Sequence, residues 1–290
     1  MKGDIPMKKI IALVVALVLT LSLTAALADT ITIAVPNDPT NEGRALLLLQ
    51  SAGVLTLNEG VGLEATKLDI ASTAVDIELI EVEASVLPEY KLNKDVDYVI
   101  INNNFALDAG LNPVADSLLI EAAESPYVNV ISVKEGSETS DAVKALVAAA
   151  TSQQVVDYIN EKYAGAAIAT IENPTNGYDD SVDYEALKGT TISIAATPVP
   201  HEEVLKDVVA PILAEKGITL DVVEVTDYVT QNEFVENGDV FANYFAHQPY
   251  QYSFNKENGS HLVTVAGIHV EPMALYGGKQ ETLEALGVAK

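Results

Sequence analysis

Apolar positions along this chain fall into short β-prone runs separated by amphipathic stretches, and the alternation persists from residue 30 to the C-terminal region. Residues 30–35 read as a buried strand. They feed VPNDPTNEGRALLLLQ, residues 35–50, in which Asn37 or Asp38 caps a helix whose first helical position is Pro39 and whose apolar face is Leu46, Leu47 and Leu49. That helix ends near Ala52 and Gly53. Residues 54–76 are irregular with short pieces, 77–82 alternate as a strand, and 87–92 form a short helix. Residues 97–101, DYVII, are a strand, with Asn102, Asn103 and Asn104 at its C-terminal end, where open α/β sheets bind ligands.

A further strand is predicted over 128–133, followed by helices over 141–150 and 152–163. Residues 165–189 contain ENPTNGYDD, dense in turn formers, and read as a linker. Residues 191–195 then open a second strand, proline loop and helix that echo the first unit in order. Strands are expected over 220–225, 240–242 and 262–265, an extended stretch over 269–276, and helices over 229–237 and from 281 to 286. Strands alternating with helices predict two α/β lobes with mostly parallel sheets.

Composition narrows the picture. The chain has 290 residues, 49% of them hydrophobic, with 42 acidic against 16 basic and a formal charge of −26. Nucleic acid and anionic membrane surfaces are therefore poor partners. Lys8 and Lys9 precede an apolar run that closes on Ala26, Leu27 and Ala28, the layout of a secretory signal peptide over residues 1–28; an uncleaved anchor is the alternative. Cysteine is absent, which removes disulfides, thiolate catalysis and cysteine-ligated zinc.

Arg44 is the only arginine, and it stands just inside the start of the first helix, where a planar cation beside the positive helix end can grip a small carboxylate. Asn41 lies one turn before it. A structural pairing with one of the many carboxylates is the plainer reading. Tyr244, Phe245, His247, Tyr250, Tyr252 and Phe254 concentrate aromatics in a chain that is 6% aromatic, as either a ligand wall or a core patch. The four histidines, His201, His247, His261 and His269, lack metal-ligand spacing, so no metal and no cofactor is expected. His201 reads as a helix-entry residue. With no nucleophile motif or phosphate loop, the chain is expected to be a binder, not an enzyme.

These residues carry a resemblance. The segments AVPNDPTNEGRALLLLQSAGVLTLNEGVGL, DYVIINNNFALDAGL and ESPYVNVISVKEGS resemble the C-terminal half of the methionine-binding (NlpA/MetQ-type) substrate-binding lipoproteins of ABC importers. ISIAATPVPHEEVL, VTDYVTQNEFVENGDVFANYFAHQPY and LVTVAGIHVEPMALYGGK resemble that family's N-terminal half. The halves stand in reverse order, which implies a circular permutation whose old ends are joined by the 165–189 linker.

The resemblance implies a two-lobed type II periplasmic-binding-protein fold with a hinge and an interlobe ligand cleft. One lobe would comprise 29–127 plus 272–290 and the other 128–271, with crossovers at about 128–134 and 266–271. By motif, Arg44 would bind a ligand carboxylate, Asn41 and Asn102 its polar groups, and Tyr228, Phe245, His247 and Tyr250 would wall a thioether side chain. The implied function is capture of a small amino acid, methionine first, for the permease and ATPase of an ABC importer, outside the cytoplasm. A non-transport binding module or sensor for an amino acid or short peptide is the alternative. Two departures stand out: no lipobox cysteine, so lipid anchoring is not expected, and Tyr244 and Ala246 where the family commonly has a small and a longer polar residue.

Overall fold

The computed structural model describes residues 30–122 and 125–288; the expected signal peptide lies outside them. Among the described residues, no helix is long and apolar enough to cross a membrane.

Two mixed sheets organise the chain. The first contains β1 (Ile31–Pro36), β4 (Ile77–Val82), β5 (Tyr98–Ile101), β6 (Leu119–Ile120) and β13 (Ala274–Gly277), in the spatial order β4, β1, β5, β13, β6. The second contains β7 (Val128–Lys134), β8 (Ile168–Ala169), β9 (Thr191–Ala196), β10 (Thr219–Glu224), β11 (Ala242–His247) and β12 (Leu262–Val270), in the order β10, β9, β11, β7, β12, β8. A small hairpin, β2 (Leu55–Leu57) with β3 (Ile70–Thr73), sits beside the first sheet's opening helix.

Both sheets repeat one plan. The strand second from one edge pairs in parallel with a later strand on each side, β1 with β4 and β5, and β9 with β10 and β11. An antiparallel strand from the other part of the chain then completes each: β13 against β5, and β7 against β11. The sheets are thus less parallel than the residue pattern predicts, because these inserted strands arrive from across the molecule. The chain crosses between sheets just before β7 and again after β12.

The first sheet is apolar on both faces, which explains its unbroken hydrophobic runs. Ile33, Val35, Tyr98 and Ile100 pack on one side with Ala45, Leu46 and Leu49, while Ala34, Val99 and Ile101 pack on the other with Leu87. The helix α1 (Pro39–Ser51) has Asp38 as its cap, the Asp38 carboxylate accepting from the Asn41 backbone N–H at 3.0 Å. Gly53 turns the chain away at φ +77°, a conformation glycine adopts without strain. Leu48, not Leu47, is the third buried leucine.

Four further helices frame the cleft and second lobe: α2 (Asn103–Asp108), α3 (Asp141–Ala150), α4 (Gln153–Tyr163) and α5 (Tyr228–Asn237), with α6 (Gln248–Asn258) directly after β11. Several expectations need correction. The supposed 165–189 linker contributes β8 to the edge of the second sheet and packs Val182 and Tyr184 onto its core. The strand placed at 240–242 is really the aromatic segment itself, β11. The pieces at 262–265 and 269–276 include one long strand, β12, whose register shifts twice against β7, so its alternation is broken in sequence.

Candidate functional site

A narrow, nearly closed pocket lies where the two lobes meet, its walls close enough together to leave room for little more than a water molecule. The first lobe supplies Asn41 and Arg44 from α1, and Asn102, Asn103 and Asn104 from the end of β5. The second supplies Tyr228 from the start of α5, Phe245 and His247 from β11, and Tyr250 from α6. All seven residues singled out in the sequence line this pocket.

Arg44 is 3% exposed. Its Nε donates to both carboxylate oxygens of Glu121 at 2.8 and 3.0 Å, and Nη2 donates to Glu121 Oε2 and to the Glu271 backbone carbonyl, both at 2.6 Å. The guanidinium carbon stands 4.3 Å from the centre of the Tyr127 ring. One edge of the fork is therefore filled by the protein's own carboxylate. Nη1 has no hydrogen-bond partner among the described residues.

Asn41 joins the lobes. Its Nδ2 donates to the Asp38 carboxylate at 2.9 and 3.0 Å, which fixes the amide orientation, and its Oδ1 accepts from Asn102 Nδ2 at 2.8 Å. Burial raises the Asp38 carboxyl above its usual range, and the bonds from Asn41 and Thr40 oppose that rise. The same Asn41 Oδ1 accepts from His247 Nε2 at 3.0 Å. His247 caps α6, its Nδ1 accepting from the Tyr250 backbone N–H at 3.1 Å, so the proton resides on Nε2 and points across the cleft. Burial, with Arg44 adding to it, holds this imidazole well below its ordinary pKa and so neutral.

The other asparagines also reach over. Asn103 Nδ2 donates to the Ala166 carbonyl at 2.8 Å, and Asn104 Oδ1 accepts from the Tyr228 hydroxyl at 2.6 Å. The Oδ1 atoms of Asn102 and Asn103 are buried without a partner, an arrangement that calls for a donor from elsewhere. Opposite them, Tyr228 packs against Phe245 and Tyr250 with ring centres 5.6 Å apart in each case, and against Phe105 of the first lobe at 5.0 Å. Strand alternation sorts the aromatic segment: Phe245 and His247 face the pocket, while Tyr244 points the other way into the core. Tyr252, 56% exposed, and Phe254, stacked against Tyr250, do not line the pocket.

Sequence reasoning missed Glu121, Tyr127, Asn129 and Glu271. Only Asn129 carried a local signal, a buried amide inside the apolar run VNVISV. His201, read as a helix-entry residue, is buried beside Asn129, Glu271 and His269. Burial pushes its imidazole down to about 3 despite the attraction of Glu271. Burial alone would raise the Glu271 carboxyl, but His201, His269 and Arg44 bring it below its usual value.

The chain is similar to known proteins. A sequence-family match described as NlpA lipoprotein covers residues 20–171 and 192–289. The D-methionine-binding lipoprotein MetQ of Yersinia pestis is 43% identical over 136 residues, 47% of this chain and 50% of that protein. Outer membrane lipoprotein 3 of Mannheimia haemolytica is 42% identical over 144 residues, 50% of this chain and 54% of the relative. The chain thus spans about half the length of the curated relatives it matches. Among solved structures, a nutrient-binding protein from Burkholderia cenocepacia bound to methionine is 41% identical over 50% of this chain and 61% of its own, with a TM-score of 0.46. A lipoprotein structure from Ruminococcus gnavus is also 41% identical, over 49% of this chain and 60% of that one, with the same TM-score. With the family match extending over most of its length, this chain belongs to the NlpA lipoprotein family.

Proposed function

We propose that this chain is an extracytoplasmic substrate-binding protein that captures a small amino acid, methionine, and hands it to the permease and ATPase of an ABC importer. One observation carries the reading: a cation with an open N–H edge and two buried, unpaired amide oxygens on one lobe face an aromatic wall on the other. A zwitterionic amino acid with an apolar side chain complements that arrangement. Its carboxylate meets Arg44 Nη1, its ammonium donates to Asn102 Oδ1 near Asn41, and its side chain lies against Tyr228, Phe245 and Tyr250. Sulfur suits aromatic edges, which favours methionine over leucine or isoleucine. The name of the Yersinia relative, a D-methionine-binding lipoprotein, supports methionine as the ligand.

Residues 29–127 plus 272–290 would act as one lobe and 128–271 as the other, hinged at the two crossings. Ligand contacts to both lobes then favour closure. The permuted order is supported by pairwise matches that each stop near half a relative's length, and by a family match whose gap, between 171 and 192, overlaps the inferred joint. Export is supported by the signal-like residues 1–28 and by the family's lipoprotein character. Calorimetry against the twenty amino acids and Gly-Met, on protein freed of co-purified ligand by unfolding and refolding, tests the function. Methionine should bind one per chain; silence toward every compound would reject the reading.

A further inference from the structure

At the back of the pocket lies a second polar cluster whose side chains are not among the proposed amino-acid contacts. His269 and Glu271 are two residues apart at the end of β12, and His201 comes from the turn after β9. His269 Nε2 and His201 Nε2 stand 2.8 and 3.1 Å from the same carboxylate oxygen, Glu271 Oε1, and the three donor atoms all lie within 4.8 Å of one another. Asn129 Oδ1 adds a fourth, 3.1 Å from His201 Nε2. None of the four side chains is more than 5% exposed.

We propose that His201, His269 and Glu271 form a binding site for a divalent transition-metal ion of the zinc class, with Asn129 Oδ1 beside it. Two imidazoles with one carboxylate form a donor set that suits zinc, and an ion bonded at about 2.0–2.2 Å holds tetrahedral donors roughly 3.3 Å apart. The 2.8 and 3.1 Å separations from Glu271 Oε1 need to open by a few tenths of an ångström, and the two histidine nitrogens, at most 4.8 Å apart, need to settle at the same spacing. The surrounding hydrogen bonds are those that metal-bound histidines require. His201 Nδ1 meets Thr197 Oγ1 at 2.7 Å, and His269 Nδ1 meets the Tyr244 hydroxyl at 2.6 Å. A hydroxyl donates or accepts equally, so each ring can move its proton to Nδ1 and present a lone pair at Nε2 without losing its tether. Glu271 and Asn129 also line the interlobe pocket, which gives an ion a route in.

The proposal is independent of the amino-acid reading, and its test needs no amino acid. Untagged full-length protein is stripped with a chelator, then titrated with zinc by calorimetry and with cobalt by visible absorption. One zinc per chain and an intense tetrahedral cobalt spectrum are expected. His201→Gln and Glu271→Gln should weaken zinc at least tenfold, and Tyr244→Phe, which removes only a supporting hydroxyl, by about 10- to 100-fold. His261→Ala should leave it unchanged, because His261 is exposed and bonded to Glu236 instead. Absence of zinc binding, or equal binding by wild type and the His201 and Glu271 variants, overturns the proposal. Should those variants unfold, ring-nitrogen resonances of the wild-type histidines decide: zinc must shift two buried Nε2 signals, and unmoved signals overturn it.

Discussion

His247 Nε2 lies 3.0 Å from Asn41 Oδ1, so one neutral hydrogen bond joins the aromatic wall of the second lobe to the polar edge of the first. The cap that His247 provides to α6 sets the tautomer that makes this bond possible. His247→Phe keeps the ring's bulk and removes both this bond and the α6 cap, while Asn102 still satisfies Asn41. Methionine affinity should fall by about 1 kcal/mol, roughly fivefold. An unchanged dissociation constant by calorimetry would mean the bond has no part in closure.

Arg44 serves structure and ligand together. Arg44→Lys replaces the fork held by Glu121 with a point charge and withdraws Nη1 from the pocket. Ligand affinity should drop by about 1–3 kcal/mol. Thermal stability should fall as well, because breaking a largely buried ion pair by removing one partner costs about 3–5 kcal/mol and lysine restores only part of it. A loss of affinity at unaltered melting temperature would contradict the dual role.

Acid sensitivity follows from the buried histidines. His201, facing Glu271 and His269, has a folded pKa of about 3, against about 6.5 unfolded, because burial disfavours the cation. Below about 6.5 the unfolded chain takes up a proton that the folded one refuses, so stability is present above that pH and is lost as pH falls toward 3. The slope is about 1.4 kcal/mol per pH unit for this group. His247 acts in the same direction. Asp38 and Glu42, whose carboxyls burial raises, act in the opposite one. Urea unfolding at pH 7 and pH 5 should therefore show a steeper loss in wild type than in His201→Gln, and equal slopes would contradict the assignment.

Gly43 sits between Glu42 and Arg44, where a Cβ would come within 2.2 Å of the Leu63 carbonyl oxygen and 2.8 Å of the Ala65 nitrogen. Neither backbone atom can yield unless the 63–65 loop or α1 shifts. Gly43→Ala should cost at least about 1–3 kcal/mol of stability and shift Arg44 out of register with Glu121. Calorimetric unfolding at an unchanged temperature would show that the helix and the 63–65 loop do not approach so closely.

The polar edge of the site was legible because each residue sat on a local signal: a capped helix start for Asn41 and Arg44, a strand end for Asn102. The aromatic segment was visible as composition but not as geometry. Strand alternation decides that Phe245 faces the pocket while Tyr244 faces His269, and the alternation could be used only once β11 was known to include the aromatics. Glu121 and Glu271 were hidden for a different reason. With 42 acidic residues in the chain, nothing local distinguishes a carboxylate that folds against Arg44 from one on the surface. The broken alternation of β12 likewise concealed one strand as two, and the antiparallel strands completing each sheet could be placed only by tertiary pairing.

Comparing L-methionine with methioninol, which keeps the ammonium and the thioether but lacks the carboxylate, probes the cleft most directly. Calorimetry on ligand-free protein should give one methionine per chain, and methioninol should bind at least about 1.5–3 kcal/mol more weakly because Arg44 Nη1 loses its charged partner. Equal affinities for the two compounds, or no binding of methionine, would contradict the account.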